Sequence, residues 1–210
     1  MVSYSSYARR GFFELCFVSL INLAIIICLN LFCKYREDGK RPASLKIITC
    51  VLSIFTILLI ATAVSKMVMY IKVYGLTPLR VYTTWFMVLL AVVFAGIFLT
   101  MLNSKINLPK ITVTAFTILF SVLSFCNADG LIAKYNADRF LSGTLTEFDV
   151  SMMHELSTGA VPEAIRVRDH LSEDDREILD GIISRKLDTA QDSDARSLTV
   201  SDIIAGSKNK

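Results

Sequence analysis

Two carboxylates, Glu14 and Asp129, stand beside long apolar runs, each with arginines or amides close by in the chain. Glu14 follows Arg9 and Arg10 in "YARRGFFEL". Asp129 lies in "FCNADGLIAKYNADRFL" with Asn127, Tyr135, Asn136 and Arg139, and a third polar stretch, "YGLTPLR", adds Tyr74 and Arg80. A carboxylate at a lipid boundary could act as the general base of an interfacial enzyme. Arginines there could instead hold a carboxylate or an anionic headgroup through paired, charge-assisted hydrogen bonds. The plainer chemistry is structural, with arginines reaching to headgroups and Asn and Asp capping helices as they leave the membrane. No nucleophile elbow, phosphate-binding loop or zinc spacing accompanies these groups. His154 and His170 are isolated in the C-terminal part. Cys16, Cys28, Cys33, Cys50 and Cys126 lie in or at the ends of apolar runs without a CxxC pair. No catalytic residue, metal or cofactor is therefore expected.

The elements that would position these groups are apolar blocks. The chain has 210 residues, 53% of them hydrophobic, and a mean hydropathy of +0.54. Four runs reach membrane-spanning length, about residues 12–33, 45–70, 79–102 and 110–126, against the roughly 20 residues that a bilayer core requires. None alternates with period two, and in lipid only helices and closed barrels satisfy the backbone, so all four are expected to be helices. Gly75 suits a helix C-terminal position, Thr77 an N-cap and Pro78 a first helical residue, which makes "YGLTPLR" a tight helical hairpin. Asn22 and Asn30 sit deep in the first run, where amides face other helices rather than lipid.

The remainder is polar. Residues 127–188 are expected to form a soluble helical tail and 189–210 a flexible C-terminus. Within the tail a short helix ends before Ser157, Gly159 breaks it, and Pro162 opens the next. "LSEDDREILDGIISRKL" is the clearest helix, with Ser172 as N-cap, acids early, and Ile178, Leu179, Ile182, Ile183 and Leu187 as its apolar stripe. Residues 1–126 hold 12 Lys and Arg against three acids, a net +9, whereas the rest is net −6. An acidic tail argues against nucleic-acid binding and leaves membrane lipids as the expected partner.

Four crossings put the N-terminus, the second loop and the tail on one face. Arg9, Arg10, Glu14, Tyr74, Arg80, Asn127, Asp129, Tyr135, Asn136 and Arg139 would then form one polar cluster at a common level. Bases near the two membrane surfaces are nearly balanced in number. The compact basic first loop, with Lys34, Arg36, Lys40, Arg41 and Lys46, tips the cell-membrane topology towards a cytoplasmic loop and an extracytoplasmic tail.

Three motifs carry a resemblance. Tyr7, Arg9, Arg10, Gly11, Phe12, Glu14 and Leu15 open the first helix. Tyr70, Tyr74, Gly75, Leu76, Thr77 and Arg80 form the second motif, and Asn127, Asp129, Ile132, Ala133, Tyr135, Asn136 and Arg139 the third. Together they resemble the C-terminal half of a bacterial multi-pass membrane family of unknown function, DUF family 4173, over roughly residues 4–187. "LSTGAVPEA" is similar to that family's ending, with Gly159 where an Asp usually stands. The resemblance implies further membrane helices ahead of the Arg-Arg motif, so that this chain is a truncated or split member. Its partner would be the missing N-terminal segment or another membrane subunit. It implies no reaction. The expected protein is an all-α polytopic membrane bundle acting as a structural, scaffold or sensor-type component. A subunit or fragment of a transporter is the alternative, and a lipid-interface enzyme the weaker one.

Overall fold

The computed structural model describes the backbone of residues 4–32, 41–103 and 105–192, and side chains within 12–32, 41–103 and 105–189. The described residues are helical and contain no strand. Four helices are long and apolar enough to cross a membrane: α1 (Tyr4–Phe32), α2 (Ala43–Tyr74), α3 (Pro78–Leu102) and α4 (Leu108–Phe125). Their starts and stops follow local chemistry. Gly75 sits in the left-handed region at φ 77° and its N–H bonds back to the Ile71 carbonyl, closing α2. Asn107 accepts the Lys110 N–H and Pro109 lies in the first turn, opening α4.

The chain divides into two compact units, Met1–Tyr70 with Tyr82–Phe120, and Ile71–Val81 with Ser121–Lys210. The first is a helix bundle that buries small hydroxyl residues beside Phe12, Met87 and Phe94 and exposes many apolar side chains. Ser19, Thr49, Ser53 and Thr56 are fully buried, while Phe17, Leu31, Phe32 and Phe55 are exposed. In water such an apolar surface would exceed what a soluble monomer exposes. In lipid it is the expected arrangement, because small hydroxyl residues let helices approach and bond across the interface. Asn22 Nδ2 donates to Thr56 Oγ1 at 2.9 Å, joining α1 to α2, and Thr56 itself donates to the Leu52 carbonyl. Asn22 thus faces a helix, as expected of a deep amide. This is an all-α polytopic membrane bundle.

The second unit is a small helical domain with its own apolar core. It contains α5 (Ala128–Leu141), α6 (Met152–Glu155), α7 (Val161–Val167) and α8 (Glu173–Asp192), with short 3-10 turns at Thr158–Ala160 and Arg168–His170. Ile132, Ala133 and Ala137 of α5 meet Met153, Leu156, Val167, Leu179 and Ile182 in this core. The turn between α2 and α3 belongs here too, since Leu76 and Val81 pack against the same core. Ser172 caps α8 as expected, trading hydrogen bonds with the Asp175 N–H and carboxylate. The α8 stripe is rotated from expectation: Leu179 and Ile182 are buried, but Ile178 is 55% exposed. A guanidinium–carboxylate fork ties the turn before α8 to its middle, with Arg168 donating to both oxygens of Asp180 at 2.6 and 2.7 Å.

Candidate functional site

Residues from the second and third motifs meet at the α2–α3 turn. A helix ending leaves its last carbonyls without intrahelical donors. Here Arg80 donates to the carbonyls of Tyr74 and Gly75, and Arg139 of α5 reaches the Ile71 carbonyl at 3.4 Å. Cations at a helix C-terminus also suit its partial negative charge. Arg139 is itself held by Thr144 through its side-chain and main-chain oxygens, and lies 5.7 Å from the Tyr135 ring centroid.

Asn136 is the centre of the arrangement. Its side-chain amide accepts the Leu76 N–H and donates to the Leu76 carbonyl, both at 2.7 Å. It thereby pairs with the backbone of one residue as a neighbouring strand would. Asn136 is 3% exposed, the one buried polar residue of the second unit among the described residues, and its Nδ2 also approaches Met152 Sδ at 3.3 Å. Close approach requires Gly75, because a Cβ there would lie 2.7 Å from Asn136 Oδ1.

Asn127 and Asp129 form a second cluster at the other end of α5. Asn127, at φ 44° and ψ 59°, ends the preceding helix and N-caps α5 through the Gly130 N–H. Its amide is pressed against Gly159, where a Cβ would stand 2.5 Å from Oδ1. Asp129 Oδ2 accepts the Ser157 N–H at 3.0 Å, and the neighbouring Leu156 carbonyl takes the Lys186 ammonium of α8. Burial pushes the Lys186 amine below the ordinary lysine value, and the nearby Asp129 charge opposes that shift. The "LSTGA" segment is therefore gripped through its backbone by the start of α5.

The structure thus brings Tyr74, Arg80, Asn136 and Arg139 to one turn, with Tyr135 beside Arg139, and places Asn127 and Asp129 around residues 156–159. Glu14 is an exposed residue of the first unit. The side chains of Arg9 and Arg10 lie outside the described residues, as do Lys34, Arg36 and Lys40. Two participants lacked an obvious signature: the Leu76 backbone, which is invisible to residue type, and Lys186. Lys186 was findable, since Leu179, Ile182, Ile183 and Lys186 share one helical face.

A family model described as "Domain of unknown function (DUF4153)" matches residues 2–167. The chain belongs to the DUF4153 family. That match covers all four spans and both clusters as far as α7, so the contacts described for this DUF4153 chain, except those of Lys186, lie inside the family domain. The match supports a family of unknown function, as the motifs lead one to expect, without extending to DUF family 4173 itself. No curated protein and no solved structure matches the chain.

Proposed function

We propose that this protein is a structural or sensor-type component of the bacterial cell membrane, whose C-terminal helical unit clamps the α2–α3 turn and reports on, or fixes, the geometry of that hairpin. The carrying observation is the pair of hydrogen bonds from buried Asn136 to the Leu76 backbone, 60 residues away. A contact of this kind couples a polar domain to a membrane hairpin without presenting any reactive group. The motif resemblance to DUF family 4173 supports a multi-pass setting with another membrane segment as partner. The basic first loop supports an extracytoplasmic tail. Trypsin protection of the tail in lipid nanodiscs tests the clamp. Asn136→Leu should release α5–α8 to cleavage while Glu147→Gln, at an exposed position of the same tail, leaves it protected, and equal protection in both would remove the reading. Labelling single cysteines at positions 3, 40, 77 and 142 with a membrane-impermeant maleimide tests the sidedness.

One observation favours a transporter subunit as the second reading. Thr49 Oγ1 and Ser53 Oγ are buried in the bundle without a hydrogen-bond partner, next in register to the Asn22–Thr56 pair. Under that reading, potassium or small-solute flux from proteoliposomes should fall severalfold in Asn22→Leu. Under the clamp reading there is no flux to lose.

A further inference from the structure

A cavity of about 510 Å³ opens in the first unit, where α1 and α3 end and α2 and α4 begin. That volume lies within the range of small-ligand sites, roughly 300–1,000 Å³. With four crossings these helix ends share one membrane surface. Its inner wall is apolar, with Ile26 and Ile97 buried, and the half-exposed Ile27 carries that wall out towards the lipid-facing side of α1. Among the described residues two cations, Arg41 and Lys105, line it, and no acid does.

Two of its polar groups have unspent capacity. Arg41 Nη1 donates to Met101 Sδ at 3.2 Å. A thioether is a weak acceptor, and among the described residues it is the acceptor this guanidinium has, which leaves most of the fork available. Asn30 donates its Nδ2 to the Ile26 carbonyl at 2.8 Å, but its Oδ1 is buried without a donor. A buried acceptor in that state calls for an incoming N–H or O–H.

We propose that this cavity holds the headgroup of an anionic, hydroxyl-bearing phospholipid, of which phosphatidylglycerol is the simplest. The phosphodiester supplies acceptors and one negative charge for Arg41 and Lys105. The glycerol hydroxyl supplies the donor that Asn30 Oδ1 lacks, and the acyl chains follow the apolar wall into the bilayer. Phosphatidylcholine offers no donor and brings a cation towards two others. Phosphatidylmethanol offers the charge without the hydroxyl. Basic pockets between membrane helices bind anionic headgroups on this principle.

The test uses the full chain in nanodiscs and the motionally restricted fraction of spin-labelled lipids. The wild type should prefer phosphatidylglycerol over phosphatidylcholine, by about fivefold for each cation engaged. The Arg41→Gln, Lys105→Gln double variant should bring that ratio near unity, and Lys66→Gln, on an exposed part of α2, should not change it. Asn30→Leu should abolish the preference for phosphatidylglycerol over phosphatidylmethanol while keeping the preference over phosphatidylcholine. Circular dichroism checks folding, and if the double variant loses helicity the Asn30→Leu comparison decides alone. Equal selectivity in wild type and variants overturns the proposal. Displacement of the lipid by millimolar inorganic phosphate overturns the lipid assignment in favour of a small-anion site.

Discussion

Replacing Asn136 by Leu removes two hydrogen bonds at once and leaves the Leu76 N–H and carbonyl facing an isobutyl group. Both bonds are 2.7 Å, and Asn136 is almost completely buried. A buried backbone group stripped of its partner costs about 1–3 kcal/mol. Leu76 is only half-buried, so some water reaches the vacated groups. The two together then cost about 2–4 kcal/mol rather than the upper limit. Leucine has as many side-chain heavy atoms as asparagine, so no cavity is opened by the comparison. At 1.4 kcal/mol per decade, local opening should become about 30- to 700-fold more frequent. Amide hydrogen exchange read by mass spectrometry in nanodiscs measures this directly, on peptides spanning residues 71–81 and 128–141. Protection should fall in both segments together, while peptides of α3 within the first unit keep theirs. If protection in the two segments changes by less than about threefold, an ordinary net hydrogen bond would already account for it. The idea that Asn136 holds the turn would then be wrong.

Three further outcomes follow from the same geometry. Gly159→Ala should destabilise the second unit by about 1–3 kcal/mol, because its Cβ would meet Asn127 Oδ1; thermal unfolding should show most of that loss restored by adding Asn127→Gly, since glycine tolerates the left-handed backbone found there. The Arg168 hydrogen bonds hold the Asp180 carboxyl below the ordinary aspartate range. Their stabilisation is therefore present above the ordinary aspartate value and lost as pH falls through the lowered native one, so Asp180→Asn should flatten the fall in unfolding midpoint below about pH 4. Asp129→Asn should lower the Lys186 amine further, as burial would then act unopposed. The native state would release that proton earlier on titration upward, and stability would rise over a wider interval below the ordinary lysine value, as nitrogen NMR of the Lys186 ammonium and unfolding versus pH can record.

The membrane helices were legible because lipid demands long apolar blocks, and blocks survive without knowledge of partners. Gly75, Ser172 and Pro162 were legible because caps and turns depend on single residue types. The second unit was harder. α5 was not expected as a helix, since Asn127, Asp129, Lys134, Asn136 and Arg139 mask the apolar face of Ile132, Ala133, Ala137 and Phe140. An Asn capping a helix as it leaves the membrane describes half of the role of Asn127; its left-handed backbone also starts α5. Ile178 was assigned to a buried stripe that is in fact centred on Leu179 and Ile182, because periodicity gives a face only to within about one residue's rotation. The partner of Asn136 could not be read at all: its counterparts are a peptide N–H and carbonyl, which every residue but proline carries.

The 60-residue separation of Leu76 and Asn136 also sets an order of events during synthesis. At about 5–20 residues per second, the hairpin waits about 3–12 s for the amide that completes it. Until α4 and α5 have emerged, that corner must borrow water or an insertion factor as a stand-in. A ribosome stalled in that interval leaves the Leu76 N–H and carbonyl without the amide that pairs with them in the longer chain.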